Sequence, residues 1–139
     1  WVFGDNIESR LGHLRFLAFY FISGFGATAL HVLLSPNSTI PSIGASGAIA
    51  GVLAAYLLYF PEARVRTLIF LVPFVTITRL SALFLISFWF MIQILSGLVE
   101  LAQPEVGGGV AYWAHVGGFI TGFLLAKLLE PGGRAAPAG

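Results

Sequence analysis

The chain has 139 residues, of which 58% are hydrophobic and only 9% charged, and its formal net charge is +1. A mean hydropathy of +0.92 lies outside the range of a water-soluble domain, and the near-neutral charge gives no reason to expect a nucleic-acid partner. Cysteine is absent, which excludes disulfides and thiolate chemistry and says nothing about compartment.

The apolar residues fall in long runs rather than alternating, which indicates a polytopic transmembrane helical bundle, all-α, with about four spans of about 20 residues each. The chain begins at Trp1 with no initiator methionine or signal-peptide pattern and is read as a piece of a longer protein. Residues 1–13 are expected to hold the end of a preceding helix and a cytoplasmic loop, 14–130 the transmembrane core, and 131–139, made of Gly, Ala, Pro and one Arg, a disordered tail. The first span covers 14–34, with Gly24 and Gly26 as close-packing sites at its middle. The second covers 45–60 and is stopped by Pro61-Glu62. Residues 68–78 are apolar but short, carry Pro73 and are bracketed by Arg66 and Arg79, so they read as an interfacial or re-entrant piece. The third span covers 80–98 and is rich in bulky residues such as Phe84, Phe88, Trp89 and Phe90; the fourth covers 110–129.

Charge orients these spans. Arg10 and Arg15 precede the first, Arg64, Arg66 and Arg79 lie between the second and third, and Lys127 and Arg134 end or follow the fourth. All three places fall on one side of the membrane, and the connections 35–44 and 100–109 contain no Lys or Arg. The positive-inside rule makes the charged side cytoplasmic, and a bacterial inner membrane is the expected setting. An additional span made from 68–78 would break this pattern.

The second and fourth spans therefore both enter from the non-cytoplasmic side. Gly44-Ala45-Ser46-Gly47 opens the second, and Ala114-His115-Val116-Gly117-Gly118 lies near the start of the fourth. Polar groups at such depth are expensive and are functional candidates. Small residues recur every four positions beneath each: Gly47, Gly51 and Ala55 on one helix, Gly118, Gly122 and Ala126 on the other. Such stripes let backbones approach closely in lipid, and close approach is what a histidine-to-serine hydrogen bond needs. By themselves the stripes only pack helices, and a serine at a helix start is a common N-cap; the pairing of Ser46 with His115 at their outer ends is what points to a nucleophile and its base. Free backbone N–H groups at the helix N-terminus would serve an oxyanion formed there. His13 falls among charged cytoplasmic residues. His31, near the outer end of the first span, is the rival base but has no small-residue stripe beneath it. No aspartate lies on the outer side, and Glu100 and Glu105 are placed in a loop, so a Ser–His dyad fits better than a triad.

With these residues in view, the chain resembles the rhomboid family of intramembrane serine proteases. Gly44-Ala45-Ser46-Gly47 is similar to the family's nucleophile motif, Ala114-His115 with Gly118 and Gly122 resembles its A-H-x-x-G-x-x-x-G motif, and Glu8-Ser9-Arg10-Leu11-Gly12 looks like its E-x-R-x-G turn. The resemblance covers nearly the whole chain and makes its four spans the family's third to sixth. It implies cleavage of transmembrane proteins in or near their membrane segments, with Ser46 as nucleophile and His115 as general base and then acid, and with no cofactor or metal. It also implies that the bulky third span is a lateral substrate gate, with Phe88 and Trp89 candidates to face it. The family's H-x-x-x-N oxyanion element belongs before Trp1 and is not in these residues, so the 139 residues alone are expected to have little or no activity. Ala50 stands where some relatives carry an aromatic that stacks on the histidine, which is expected to leave His115 less constrained. The alternative is a catalytically inactive rhomboid-like protein that binds transmembrane helices; a channel fits poorly, since Gln93 is nearly alone as a polar residue at depth.

Overall fold

Gly12 divides what would otherwise be one continuous helix. Its backbone sits at φ +82°, ψ 156°, a region essentially closed to residues with a Cβ, and its N–H donates to Glu8 O at 2.7 Å while its carbonyl accepts from Phe16 N–H at 2.9 Å. One glycine thus ends α1 (Gly4–Leu11) and begins α2 (His13–Leu34). The computed structural model describes residues 1–37, 45–103 and 109–130; Gly44, Glu105 and the tail 131–139 lie outside them. The remaining elements are α3 (Ala45–Tyr59), β1 (Arg64–Leu71), β2 (Phe74–Ser81), α4 (Ala82–Ala102) and α5 (Tyr112–Leu128).

The helices are sorted by side-chain size. On α2 the buried residues are Phe19, Ser23, Ala27 and His31, one every four positions, while Leu17, Phe21, Phe25 and Val32 face outward. Lipid is as apolar as leucine, so burying bulk inside the bundle gains little and small residues that bring backbones together win the interior. α3 is the central helix, with Gly47, Ala48, Ala50, Gly51, Ala54 and Ala55 all buried. α5 packs against both α2 and α3. Gly26, singled out at the middle of the first span, meets α5 closely: a Cβ there would lie 2.7 Å from Thr121 Cβ.

Large side chains gather at the other end of α3. Tyr56 and Tyr59 pack with Ile7, Leu11, Phe19 and Ile86. The Tyr59 hydroxyl donates to Ala126 O at 2.6 Å, and the Arg10 guanidinium lies 4.5 Å over the Tyr59 ring. The E-x-R-x-G stretch is therefore a brace tying α1 to the C-terminal ends of α3 and α5.

Two expectations change. The chain is not purely α-helical: 68–78 lies within an antiparallel hairpin in which Arg64 pairs with Ser81 and Leu71 with Phe74. Val65, Thr67, Ile69, Val75, Thr76, Ile77 and Thr78 supply the β-branched density that favours strand over helix, and the Val72-Pro73 link makes the turn. The following helix accordingly starts at Ala82 rather than at residue 80. Second, of the four expected spans, α2 and α4 are long and apolar enough to cross a membrane. α3 and α5, with 15 and 17 residues, rise only about 23 and 26 Å, short of a hydrocarbon layer of about 30 Å.

Two glycine substitutions separate the two kinds of constraint. Gly12→Ala meets nothing within 4 Å and is expected to lose about 1–3 kcal/mol through backbone strain alone. Gly122→Ala would drive a methyl group into the Gly51 backbone and is expected to lose more, since neither helix has a side chain that can yield. Thermal unfolding of both variants in detergent, followed by circular dichroism, gives the order.

Candidate active site

The site is built on the seam between α3 and α5. A Cβ at Gly118 would overlap the Gly47 carbonyl, one at Gly47 would come 3.1 Å from Ala114 O, and one at Gly51 would come 3.0 Å from Gly118 O. The two helices therefore touch backbone to backbone over two turns. Ser46 immediately precedes Gly47 and is exposed, as the second residue of α3; His115 immediately follows Ala114 and is half-buried, as the fourth residue of α5. Two residues of offset correspond to about 3 Å of depth, so the turns carrying Ser46 and His115 lie side by side near one end of the seam.

His115 is held from α4, by a residue that the sequence does not mark for this role. Its Nδ1 is 2.7 Å from Gln93 Oε1. The other end of that amide, Nε2, donates to Trp89 O at 3.4 Å, which turns the amide carbonyl toward the imidazole. An amide oxygen only accepts, so this pairing places the proton on Nδ1 and leaves the lone pair on Nε2. The Trp89 ring lies 5.7 Å from the His115 ring, tilted by 40°. The expectation that Ala50 leaves His115 less constrained is thus corrected: the constraint comes from Trp89 and Gln93 instead. Trp89 faces inward and only Phe88 points out, 58% exposed and stacked on Phe84. One turn further along α4 from Gln93, toward the end that carries Ser46, Gly97 lets the Trp113 indole approach, with a Cβ there only 2.9 Å from Trp113 Cε2, and Phe90 stacks on Phe119 at 3.9 Å.

Glu100 also moves from its expected place. It is not in a loop but in the last turns of α4, buried, on the face that carries Gln93 and Gly97. Its Oε2 has no hydrogen-bond partner among the described residues, and His115 Nδ1 goes to Gln93, so no carboxylate completes a triad at that nitrogen. His31, the rival base, is buried on the inward stripe of α2, one turn from Ala27. Its Nδ1 has no partner among the described residues. His13 lies at the opposite end, 2.7 Å from Glu8 and exposed. Among the described residues no group of His, Asp and Glu could hold a metal ion.

Apolar helices packed around a glycine seam, with bulk facing outward and a polar cluster near one end, define a membrane protein with an internal polar site. The family model "Rhomboid domain" matches residues 1–131, and the chain belongs to the rhomboid family. It is 34% identical over 92% of its length to RHOMBOID-like protein 6, mitochondrial, of Arabidopsis thaliana, covering 36% of that protein. It is 33% identical over 88% of its length to Presenilin-associated rhomboid-like protein A, mitochondrial, of Danio rerio, covering 30% of it. To Rhomboid protein 1, mitochondrial, of Saccharomyces cerevisiae it is 31% identical over 89% of its length, covering 34%. The chain thus spans about a third of the length of these relatives. No solved structure gives a significant match.

Gln93→Leu would leave Nδ1 of His115 half-buried without its acceptor and is expected to lose about 1–3 kcal/mol of stability. Nitrogen chemical shifts of the His115 ring should then report a mixture of tautomers, whereas Gln93→Glu, which keeps an acceptor, should retain the proton on Nδ1.

Proposed function

We propose that the protein is an intramembrane serine endopeptidase that cleaves transmembrane proteins within or near their membrane segments, with Ser46 as nucleophile and His115 as its base. The observation that carries this reading is the Gln93–His115 pairing, set beside the backbone contact of Gly47 with Ala114. A histidine fixed as the Nδ1–H tautomer has Nε2 available as a base, the requirement for activating a neighbouring hydroxyl.

The reaction then runs as acyl transfer. His115 Nε2 takes the Ser46 proton as Oγ bonds to the scissile carbonyl carbon, whose oxygen becomes the oxyanion. A helix N-terminus presents backbone N–H groups and the positive end of the helix dipole, and those at the start of α3 would be its donors. Collapse breaks the C–N bond, and His115 returns its proton to the departing amine. Water, deprotonated by the same imidazole, attacks the acyl-serine, and Ser46 leaves as the free hydroxyl. Gln93 has the orienting place that a carboxylate fills in a triad. An amide cannot neutralise the imidazolium, so it orients the ring more than it raises its basicity.

Four spans and the orientation belong to the same proposal. The cations flanking α2 and α4 define one face, and on that basis the site opens on the other. A helix of about 23 Å whose lower end is held at the charged face, where Arg10 lies over the Tyr59 ring, would stop about 7 Å short of the far side of the hydrocarbon layer. Ser46, at its upper end, would sit in a recess that water can enter. A bacterial inner membrane remains part of this reading, although the three relatives described above carry mitochondrial names.

The test uses full-length protein in proteoliposomes with a fluorophosphonate probe and a transmembrane substrate. Labelling should vanish in Ser46→Ala, and turnover should fall by about 10²–10⁴-fold in His115→Ala. Gln93→Leu should lower kcat by roughly 5- to 150-fold, the equivalent of about 1–3 kcal/mol, with KM little changed. Labelling that survives His115→Ala but is lost in His31→Ala would move the base to His31. Absence of labelling in the folded wild type would favour a helix-binding relative without catalysis.

A further inference from the structure

The β1–β2 hairpin carries a gradient of polarity along one face. Pairing sets Arg66 opposite Arg79, Leu68 opposite Ile77 and Phe70 opposite Val75, and the two-residue period puts Arg64 on that face as well. From the arginine pair to Phe70 is about 13 Å along the strand. Residues 67–78 contain no charge at all. The tip is bare: Val72 is 99% exposed and Phe74 74%. At its base the hairpin is tied to the bundle, where Ala82 N–H donates to Ala63 O at 2.8 Å.

Neither end of this gradient suits water. Like charges directly opposite on neighbouring strands are destabilising, and an exposed apolar patch of this extent marks an interaction surface. One occupant satisfies both ends. Lipid phosphates would neutralise Arg64, Arg66 and Arg79, and the apolar tip would then reach just past the phosphates into the acyl chains. The membrane is already there, because the hairpin joins α3 to α4 at the arginine-rich end of a membrane protein. Depth is limited by the backbone: the outer edges of a two-stranded sheet hold unpaired N–H and C=O groups that hydrocarbon cannot satisfy.

We propose that the hairpin is an interfacial anchor for anionic phospholipid, with its arginines among the headgroup phosphates and its tip side chains immersed in the same leaflet. It pins the α3–α4 connection to the membrane surface, and so fixes the depth at which α4 begins. This inference rests on membership of a membrane-protein family and not on the proposed peptidase activity.

The chain has no cysteine, so single thiols can be placed and labelled with an environment-sensitive fluorophore. Full-length Val72→Cys and Phe74→Cys report the tip, Thr67→Cys the base, and Met91→Cys the middle of α4, in vesicles of phosphatidylcholine with or without phosphatidylglycerol. The tip labels should be shielded from iodide and quenched most by lipids carrying a nitroxide near the headgroup. The Met91→Cys label should be quenched most by lipids with the nitroxide deep in the chain, and the Thr67→Cys label should stay open to iodide. Tip immersion should be stronger in the anionic vesicles, and that difference should disappear in R66A/R79A. Four results would each overturn the proposal: tip labels as open to iodide as the base, tip labels shielded from iodide without lipid quenching (contact with protein or a second copy), quenching as deep as at Met91→Cys (a re-entrant loop), or immersion indifferent to lipid charge and to R66A/R79A.

Discussion

The spacing between α3 and α5 is set by hydrogen atoms rather than by side chains. Gly47, Gly51, Gly118 and Gly122 face one another so closely that a methyl group at any of them would meet a backbone or Cβ atom. Such a contact gives van der Waals attraction along the whole seam, the form of association lipid leaves available, but it has no soft element. A residue with χ freedom can absorb half an ångström; two glycine backbones cannot. The relative height and rotation of the two helices are thus fixed to within a small tolerance, which is what two catalytic groups on separate helices require. α2 closes the third side of the seam, with Ala27 against Gly47 and the Ser23 side chain against Gly51.

This choice has a consequence at each end of the bundle. Where backbones touch, no bulk remains to shield polar groups, so the end with Ser46 and His115 is open enough for a hydroxyl and an imidazole. At the opposite end the bundle is filled by Tyr56, Tyr59, Phe19 and Ile86, and Tyr59 is held by Arg10 and by its hydrogen bond to Ala126. Rigidity is therefore supplied at the end away from the polar cluster and transmitted along the glycine seam.

What is legible in the sequence is what repeats along one helix. The four-residue spacing of small residues on α3 and α5 is enough to name the touching faces, because helical period and close packing both appear in the order of residues. The charge distribution separates the two ends for the same reason. The hairpin is obscured because its alternation is polar and apolar only near the arginines; toward the tip both faces are apolar, and an apolar run without polar punctuation does not reveal its period. Gln93 cannot be assigned from the sequence at all. Its meaning comes from His115, 22 positions away on another helix, and nothing local marks a glutamine in a bulky apolar helix as an orienting group. Glu100 is misleading through its charge, which suggests a loop residue until Gln93 and Gly97 are seen to share its face.

If the protein acts as proposed, the position of Gln93 on α4 also restricts how a substrate could enter. α4 meets α5 along a narrow stripe consisting of Phe90, Gln93 and Gly97 against Phe119, His115 and Trp113, and most of its bulky residues face outward. It is the least tightly held of the long helices, so it is the element most able to swing away. Yet the same helix holds the tautomer of His115, and separating the two would leave Nδ1 without its acceptor at a penalty of about 1–3 kcal/mol. A wide opening of α4 and an oriented His115 exclude each other. Under the proposed activity, a substrate segment that entered by displacing α4 would have to let the turn from Trp89 to Gln93 return before proton transfer, or else enter past Phe84 and Phe88 while that turn stays in place. In either case, under that proposal, α4 would couple access to the site with the readiness of His115 as its base.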